Sequence, residues 1–188
     1  MIFECILCKE FSFEVICKEC QKKFLKPEIK FKNSIISFYD YEEIEELIKY
    51  KYHKFGSRVF HVLAKNSFFL FSKYFFSPYK EKIFVIPIDD KVKKGYSHTA
   101  ILAKYLDKKF KILYSSLIAT NDVKYAGKPL EFRLKNPRNY KYNGPKKIKA
   151  ILVDDIATTG VSINEAINTL KNHNVDVLFS LTLANLKA

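Results

Sequence analysis

The sequence contains no long uninterrupted apolar run. Its most apolar stretch, residues 59–76, is interrupted by His61, Lys65, Asn66 and Lys73. A membrane-spanning helix needs about 20 apolar residues in succession, so no transmembrane segment is expected. The first residues include Glu4 and no basic region ahead of an apolar one, which excludes a secretory signal peptide. We therefore expect a cytoplasmic protein, in which cysteines stay reduced unless a metal holds them.

Acidic residues are scarce relative to basic ones. The 188-residue chain has 20 Asp and Glu against 33 Lys and Arg, a formal net charge of +13. Such an excess favours polyanionic partners: nucleic acid, phosphorylated metabolites or an anionic membrane face. A general lysine bias is the alternative, because the lysines are scattered along the chain. With 48% hydrophobic residues and no internal repeat or low-complexity tract, we expect one main folded domain with a small appendage.

No cysteine follows residue 20. The four cysteines form two C-x2-C pairs separated by eight residues: Cys5, Cys8, Cys17 and Cys20. Each pair can place two thiolates on one ion, and two pairs complete a tetrahedral zinc site. Two disulfides are disfavoured in a reducing compartment, whereas an iron–sulfur cluster stays open because the spacer is short for a zinc ribbon. We predict a structural zinc knuckle over residues 1–24 that folds with its metal.

Apolar segments that alternate with helical patterns predict the rest of the fold. Strand patterns occupy residues 33–41, 82–88, 110–116, 149–155 and 175–184. Helical patterns occupy residues 42–52, 57–74, 97–110 and 162–173. This alternation predicts an α/β domain over 34–188 around a mainly parallel sheet flanked by helices, with 34–80 as its N-terminal strand and helices. The polar segment 120–147 is expected to be a lid-like loop.

The stretch KAILVDDIATTGVSI, residues 149–163, combines two acids with a short turn rich in Thr and Gly. Asp154 and Asp155 follow a buried strand, and ligands of parallel α/β sheets gather at the carboxyl ends of strands. Ser162 and Glu165 are expected to cap the next helix reciprocally. The amide and hydroxyl groups of the turn can then surround a phosphate at the positive end of that helix. The turn consists of Ala157, Thr158, Thr159, Gly160, Val161 and Ser162.

Two acids beside a phosphate turn match a ribose 5-phosphate. The carboxylates would accept hydrogen bonds from two ribose hydroxyls while the turn holds the phosphate. An apolar strand that ends in two acids also occurs as the Walker B strand of nucleoside triphosphatases. That alternative is disfavoured because the sequence lacks the phosphate-binding motif G-x-x-x-x-G-K-[ST]. A receiver domain would not place a Thr-Thr-Gly turn after its acids. An ordinary strand–turn–helix junction without a ligand is the remaining alternative.

The order of these residues resembles a known signature. The segment resembles the phosphoribosyl pyrophosphate signature of type I phosphoribosyltransferases. That signature consists of an apolar run, two acids (here Asp154-Asp155), two residues, Thr-Thr-Gly, one residue and Ser. With the four-cysteine segment in front, the whole chain resembles ComF-type competence proteins. Segments 85–88 (VIPI) and 94–98 (KGYSH) resemble two further sequence elements of that family. The resemblance implies a type I phosphoribosyltransferase-like α/β fold.

The resemblance also implies roles for individual residues. Ile88 and Asp89, through their backbone groups, and Lys94 would belong to the loop that binds pyrophosphate; a solvated run of charged residues is the alternative there. Lys128 and Arg133 would belong to the lid. Mg²⁺ would accompany phosphoribosyl pyrophosphate, held by the ligand's own oxygens and by water. No catalytic residue is predicted: His98 is the nearest candidate for a general base by sequence, but a histidine at a helix end more often has a structural role. Ser97 and His98 replace an amide pair of the family, so the site for a second substrate does not carry over.

The function implied by the resemblance is that of an accessory protein of natural transformation, which takes part in DNA uptake or processing in the cytoplasm. Single-stranded DNA is an expected partner, since 12 Tyr and 17 Phe beside the positive charge offer stacking surfaces. Other DNA-uptake or recombination proteins are further candidate partners. The alternative is an active phosphoribosyltransferase that acts on a nucleobase-like or unknown acceptor.

Overall fold

The computed structural model describes residues 4–75, 81–93, 95–106, 109–123, 125 and 127–186. Helices lie at α1 (Lys18–Phe24), α2 (Tyr41–Lys49), α3 (Gly56–Asn66), α4 (Phe68–Tyr74), α5 (His98–Lys104), α6 (Leu130–Lys135) and α7 (Val161–Lys171), and a short 3-10 helix at Tyr50–Tyr52. Strands lie at β1 (Lys30–Lys32), β2 (Ile35–Asp40), β3 (Phe84–Pro87), β4 (Lys111–Ile112), β5 (Leu117–Ala119), β6 (Tyr140–Tyr142), β7 (Ile148–Ala157) and β8 (Val175–Asn185). Within these ranges no helix is both long enough and apolar enough to cross a membrane.

The main sheet has six strands among the described residues, in the order β1-β2-β8-β7-β3-β4. Every neighbouring pair runs parallel except β1–β2. The central strands β7 and β8 are mostly buried, which is why they read as nearly continuous apolar runs instead of alternating polar and apolar residues. The predicted α/β fold around a mainly parallel sheet is confirmed.

The two faces of β7 pack into different cores. Ile151 and Val153 belong to the larger core, together with Phe60 of α3 and Leu102 of α5. Leu152 belongs to a smaller core, which also contains buried residues of α7 and of the two-stranded β5–β6 sheet. Side chains of a strand alternate between its faces, so this division continues to the carboxyl end of β7.

The helix predicted over 57–74 is instead two helices. Ser67 separates α3 from α4 in a non-helical conformation, with φ −129° and ψ −77°. Its hydroxyl donates to the Leu63 carbonyl at 2.7 Å, and hydroxyls that bond four residues back tend to bend helices. Beyond the break, the Phe68 ring of α4 packs on Phe38 of β2 with centroids 5.2 Å apart.

The polar segment 120–147 is not irregular throughout. It contains α6 and β6, and β6 pairs antiparallel with β5. Tyr140 and Tyr142 of β6 are buried in the smaller core, because alternate residues of a strand share a face. A lid role for the part between β5 and β6 stays a prediction.

The N-terminal segment packs on the helical layer. Ile16 and Leu25, on either side of α1, are buried in the larger core. The side-chain amide of Asn66 in α3 donates to the side-chain carbonyl of Gln21 at 3.0 Å. The proposed division into 1–24 and 34–188 therefore separates two segments that share one hydrophobic core.

Candidate functional site

Asp154 and Asp155 lie near the carboxyl end of β7, and they belong to different faces of the sheet. Asp154 is in register with Thr182 of β8, which is in register with Ser37 of β2. The Asp154 carboxylate bends back, so that its Oδ1 atom accepts the Asp155 N–H at 2.8 Å. The predicted acidic pair is thus at a central strand end, but its two members have different surroundings.

Asp155 is held by a buried ion pair. Its Oδ2 atom lies 2.7 Å from Nζ of Lys51, in side chains that are 10% and 18% exposed, and 3.6 Å from Nε2 of His98. Burial alone would raise the pKa of Asp155, but Lys51 and then His98 outweigh burial and hold the pKa below its usual range. Burial lowers the pKa of His98, so the ring is neutral at pH 7 and Lys51 supplies the positive charge.

Asp154 is in surroundings that disfavour its charge. Burial, and next the charge of Asp155, raise the pKa of Asp154 well above its usual range. Four hydroxyl groups of β2 and β8 are buried and have no hydrogen-bond partner among the described residues: those of Ser37, Tyr39, Ser180 and Thr182. One of them, Thr182, is directly in register with Asp154.

The turn after β7 ends at Gly160. Gly160 has a φ of 74°, in the left-handed region that favours glycine, and its carbonyl accepts the Asn164 N–H at 2.8 Å. α7 therefore begins at Val161. The first N–H groups of a helix have no partner within it, so they offer donors to an anion. Of the turn, Ala157 is buried, and residues 158–162 are partly or fully exposed.

The predicted reciprocal cap by Ser162 and Glu165 is wrong. Ser162 lies inside α7, and Gly160 occupies the capping position without a side-chain bond. The Glu165 carboxylate instead accepts the backbone N–H groups of Arg138 and Asn139 at 2.9 and 2.6 Å. Glu165 thus ties the polar segment before β6 to the first turns of α7, and the Ser162 hydroxyl is not committed to a cap.

The α6 segment reaches the turn through Arg133. The Nη1 atom of Arg133 donates to the Thr158 hydroxyl, and its Nε atom donates to the Lys128 carbonyl at 3.0 Å. Lys128 itself is exposed, with its Nζ atom 5.3 Å from the centre of the Phe132 ring. The structure therefore brings one predicted lid residue, Arg133, to the predicted phosphate turn.

The loop after β3 is tied to the neighbouring strands. The Ile88 N–H donates to a β7 carbonyl at 2.9 Å, and the Asp89 N–H donates to a β5 carbonyl at 3.0 Å. Asp89 has a φ of 47°, and its Oδ1 atom accepts the Ala119 N–H at 3.1 Å. Both N–H groups predicted to bind pyrophosphate are therefore engaged in this structure. Lys94 lies outside the described residues.

Lys51 was not predicted as a site residue. It is 104 positions from Asp155, and no local spacing relates the two. The Tyr96 hydroxyl lies 3.0 Å from the Lys51 carbonyl oxygen and 3.2 Å from that of Tyr50. Only the fold brings the 3-10 helix after α2 against the end of β7.

The four cysteines form a compact cluster of free thiols. Their sulfur atoms all lie within 4.8 Å of one another, and those of Cys8 and Cys17 are 3.8 Å apart. Tetrahedral Zn–S bonds of about 2.3 Å would place sulfurs about 3.8 Å apart. Burial raises the pKa of Cys5, but backbone N–H donors outweigh burial and lower the pKa to about 6. Burial, and next the hydrogen bond to Cys17, raise the pKa of Cys20 to about 12. The cluster, which includes buried Cys20, can hold one metal ion between thiolates.

Three solved structures resemble this chain at low similarity. A Staphylococcus aureus hypoxanthine phosphoribosyltransferase has a TM-score of 0.41 and 14% identity, over 67% of this chain and 62% of that one. A Leishmania donovani UMP synthase has a TM-score of 0.41 and 12% identity, over 89% of this chain and 31% of that one. A Trypanosoma brucei adenine phosphoribosyltransferase, in complex with AMP, pyrophosphate and ribose-5-phosphate, has a TM-score of 0.43 and 12% identity, over 88% and 78%.

This chain thus spans less than two thirds of the length of the first two proteins. Neither protein-family models nor curated proteins gave a match. All three TM-scores are below 0.5, so these similarities do not assign a function to this chain.

Proposed function

We propose that this protein binds phosphoribosyl pyrophosphate, or a related ribose 5-phosphate ligand, at the carboxyl end of β7. The observation that supports this most is the accessible turn 158–162 at the start of α7, three residues after an acidic pair. Turn amides and hydroxyls would hold the 5-phosphate. Asp154 and Asp155 would bind the ribose hydroxyls. Arg133 would exchange its Thr158 contact for the ligand phosphate.

The pyrophosphate end of the ligand would lie against the loop after β3. Ile88 and Asp89 would release their present carbonyl partners to bind it, together with Lys94. Magnesium would arrive with the ligand, bound by ligand oxygens and water. The carboxylates and hydroxyl groups of the site provide the oxygen ligands that a hard cation prefers. When bound, it would neutralise pyrophosphate charge.

The cellular role we propose is that of an accessory protein of natural transformation, with zinc in the four-cysteine cluster and single-stranded DNA as a partner. Exposed aromatic side chains near the cluster support the DNA partner. Phe11 and Phe13 are 68% and 81% exposed, and Nζ of Lys23 lies 5.2 Å from the centre of the exposed Phe24 ring. Such aromatic and basic groups together stack bases and attract phosphates.

Isothermal titration calorimetry with phosphoribosyl pyrophosphate and Mg²⁺ tests the ligand. We expect saturable binding, and a loss of about tenfold in affinity for Asp154→Ala, which removes a hydrogen bond to a ribose hydroxyl worth about 1.4 kcal/mol. Asp176→Ala, at an exposed position near the opposite end of the sheet, is the matched control and should bind normally. Absence of binding, or equal affinity of Asp154→Ala and wild type, would contradict the proposal.

Release of pyrophosphate separates a binding protein from an enzyme. The accessory role predicts that the complex with phosphoribosyl pyrophosphate and Mg²⁺ releases no pyrophosphate beyond the uncatalysed rate when nucleobases are added. Release that depends on a particular base would instead favour the alternative, an active phosphoribosyltransferase.

A further inference from the structure

The Lys51–Asp155 ion pair connects the N-terminal helices to the ligand site. Lys51 lies in the 3-10 helix after α2, outside residues 82–188 that carry the signature and the α/β pattern. The pair is mostly buried, with a separation of 2.7 Å. Buried ion pairs are often no more stabilising than apolar residues of similar size. A role in setting the chemistry of the site accounts for this pair better than a role in stability.

Contacts on two sides hold the backbone of Lys51. The Tyr96 hydroxyl lies within hydrogen-bonding distance of the Lys51 and Tyr50 carbonyl oxygens. Gly56, the first residue of α3, packs so closely that a Cβ atom there would overlap the Tyr50 carbonyl and the Tyr96 hydroxyl. The position of the Lys51 backbone, and hence the reach of its ammonium group, is therefore fixed.

Three titratable groups of the described chain act on Asp155. Lys51 comes from the 3-10 helix, His98 from α5, and Asp154 from β7 itself through a side-chain hydrogen bond. Lys93 and Asp89 act on the pKa of His98. Burial lowers the pKa of Lys51, but the charge of Asp155 outweighs burial and raises the pKa above its usual range. Lys51 is thus a permanent cation beside one carboxyl of an interacting pair.

We propose that Lys51 is a positioning residue of the ligand site, whose ammonium group keeps Asp155 ionised and in one orientation, so that Asp154 is the carboxyl that carries the proton. The effect of this arrangement on ligand binding rests on the proposed function, the binding of a ribose 5-phosphate ligand at this site. A protonated Asp154 can donate to one hydroxyl of a ribose while ionised Asp155 accepts from the neighbouring hydroxyl. The pair then offers one donor and one acceptor to a diol, with one negative charge fewer near a phosphorylated ligand.

Carboxyl-carbon NMR titration of the ligand-free protein tests the protonation pattern directly. In the wild type, Asp155 should stay ionised to below about pH 3 while Asp154 titrates well above its reference value of about 3.9. Lys51→Met removes the largest contribution that opposes burial and leaves His98 and the Asp154 hydrogen bond, so the pKa of Asp155 should rise relative to the wild type. Lys51→Arg should restore the wild-type pattern. An unchanged Asp155 titration in Lys51→Met would overturn the proposal; Lys51→Gln gives the same comparison if Lys51→Met fails to fold.

Calorimetric titration with ribose 5-phosphate at pH 8.0 and pH 5.5 tests the consequence for binding. The ratio of variant to wild-type Kd cancels the titration of the ligand phosphate. For Lys51→Met this ratio should rise on going to pH 5.5, because Asp155 then becomes partly protonated, and for Lys51→Arg it should stay constant. A Lys51→Met ratio independent of pH would indicate a purely structural role and overturn the proposal. If the wild type fails to bind, the proposed function fails, while the carboxyl titration still decides the role of Lys51.

Discussion

Replacing Gly56 with alanine should destabilise the protein, although alanine is the better helix former. At an unhindered helical position this change stabilises by up to about 1 kcal/mol. Here the new methyl group would overlap the Tyr50 carbonyl and the Tyr96 hydroxyl, and such overpacking costs about 1–3 kcal/mol. Moving Tyr96 also disrupts its hydrogen bonding to the Tyr50 and Lys51 carbonyls, worth about 1 kcal/mol. We expect the free energy of unfolding to fall by about 2 kcal/mol.

Thermal unfolding by calorimetry measures this loss. A chain of this size changes Tm by about 2–4 °C per kcal/mol, so Gly56→Ala should unfold about 4–8 °C below the wild type. Ser57→Ala, in the same first turn of α3, is the matched control and should change Tm by no more than about 2 °C. Tyr96→Phe should recover part of the loss when added to Gly56→Ala, because it removes one of the overlapping atoms. A Tm of Gly56→Ala at or above that of the wild type would refute the reasoning.

Three further predictions concern the metal, the acidic pair and the aromatic surface. The protein purified under reducing conditions should contain one zinc ion per chain. Removal of the zinc by a chelator should lower Tm, because the cysteine cluster anchors Ile16 and Leu25 in the core. Metal-free protein with an unchanged Tm would contradict this. Asp154 has a raised pKa, so its stabilising contribution is present below its unfolded pKa of about 3.9 and lost as pH rises through the folded pKa. Asp154→Asn should therefore raise Tm at pH 8 but not at pH 4, and equal gains at both pH values would contradict the assignment. Phe13→Ala should weaken single-stranded DNA binding without changing Tm, since Phe13 is 81% exposed. The control is Leu134→Ala, which changes an exposed apolar residue of α6. Equal affinity of the two variants for single-stranded DNA would count against the proposed aromatic binding surface.

The central strands and α7 could be predicted because local pattern and tertiary environment agree there. Residues 150–153 form an apolar run that the sheet buries on both faces. In α7, the periodic residues Ile163, Ala166 and Leu170 are the buried ones. The acidic pair and the turn follow directly from this strand and helix, so their proximity could be predicted as well.

The helix boundaries could not be predicted as reliably, because polar groups have more than one partner available. The Ser67 hydroxyl bonds to a helix carbonyl and accompanies the break between α3 and α4. Glu165 has the spacing of a capping residue but accepts N–H groups from the segment before β6. The partner that each of these polar groups takes depends on which helices and strands pack together. The spacing of nearby residues in the sequence does not contain that information.

The charge state of the site could not be predicted from the signature either. Two adjacent aspartates look equivalent in sequence, but the strand assigns them to different faces, and only one meets Lys51. The partner comes from a helix-rich segment far along the chain. Sequence reasoning therefore identified the carboxylates without the cation that distinguishes them.

Backbone amide chemical shifts, recorded by NMR while ribose 5-phosphate is added, test the location of the ligand most directly. If the phosphate binds at the start of α7, the largest shifts should occur at Thr158–Ser162 and at the acidic pair, with little change at Asp176 near the opposite end of the sheet. Shifts confined to the cysteine cluster, or no shifts at ligand concentrations that saturate the calorimetric titration, would contradict the proposed site.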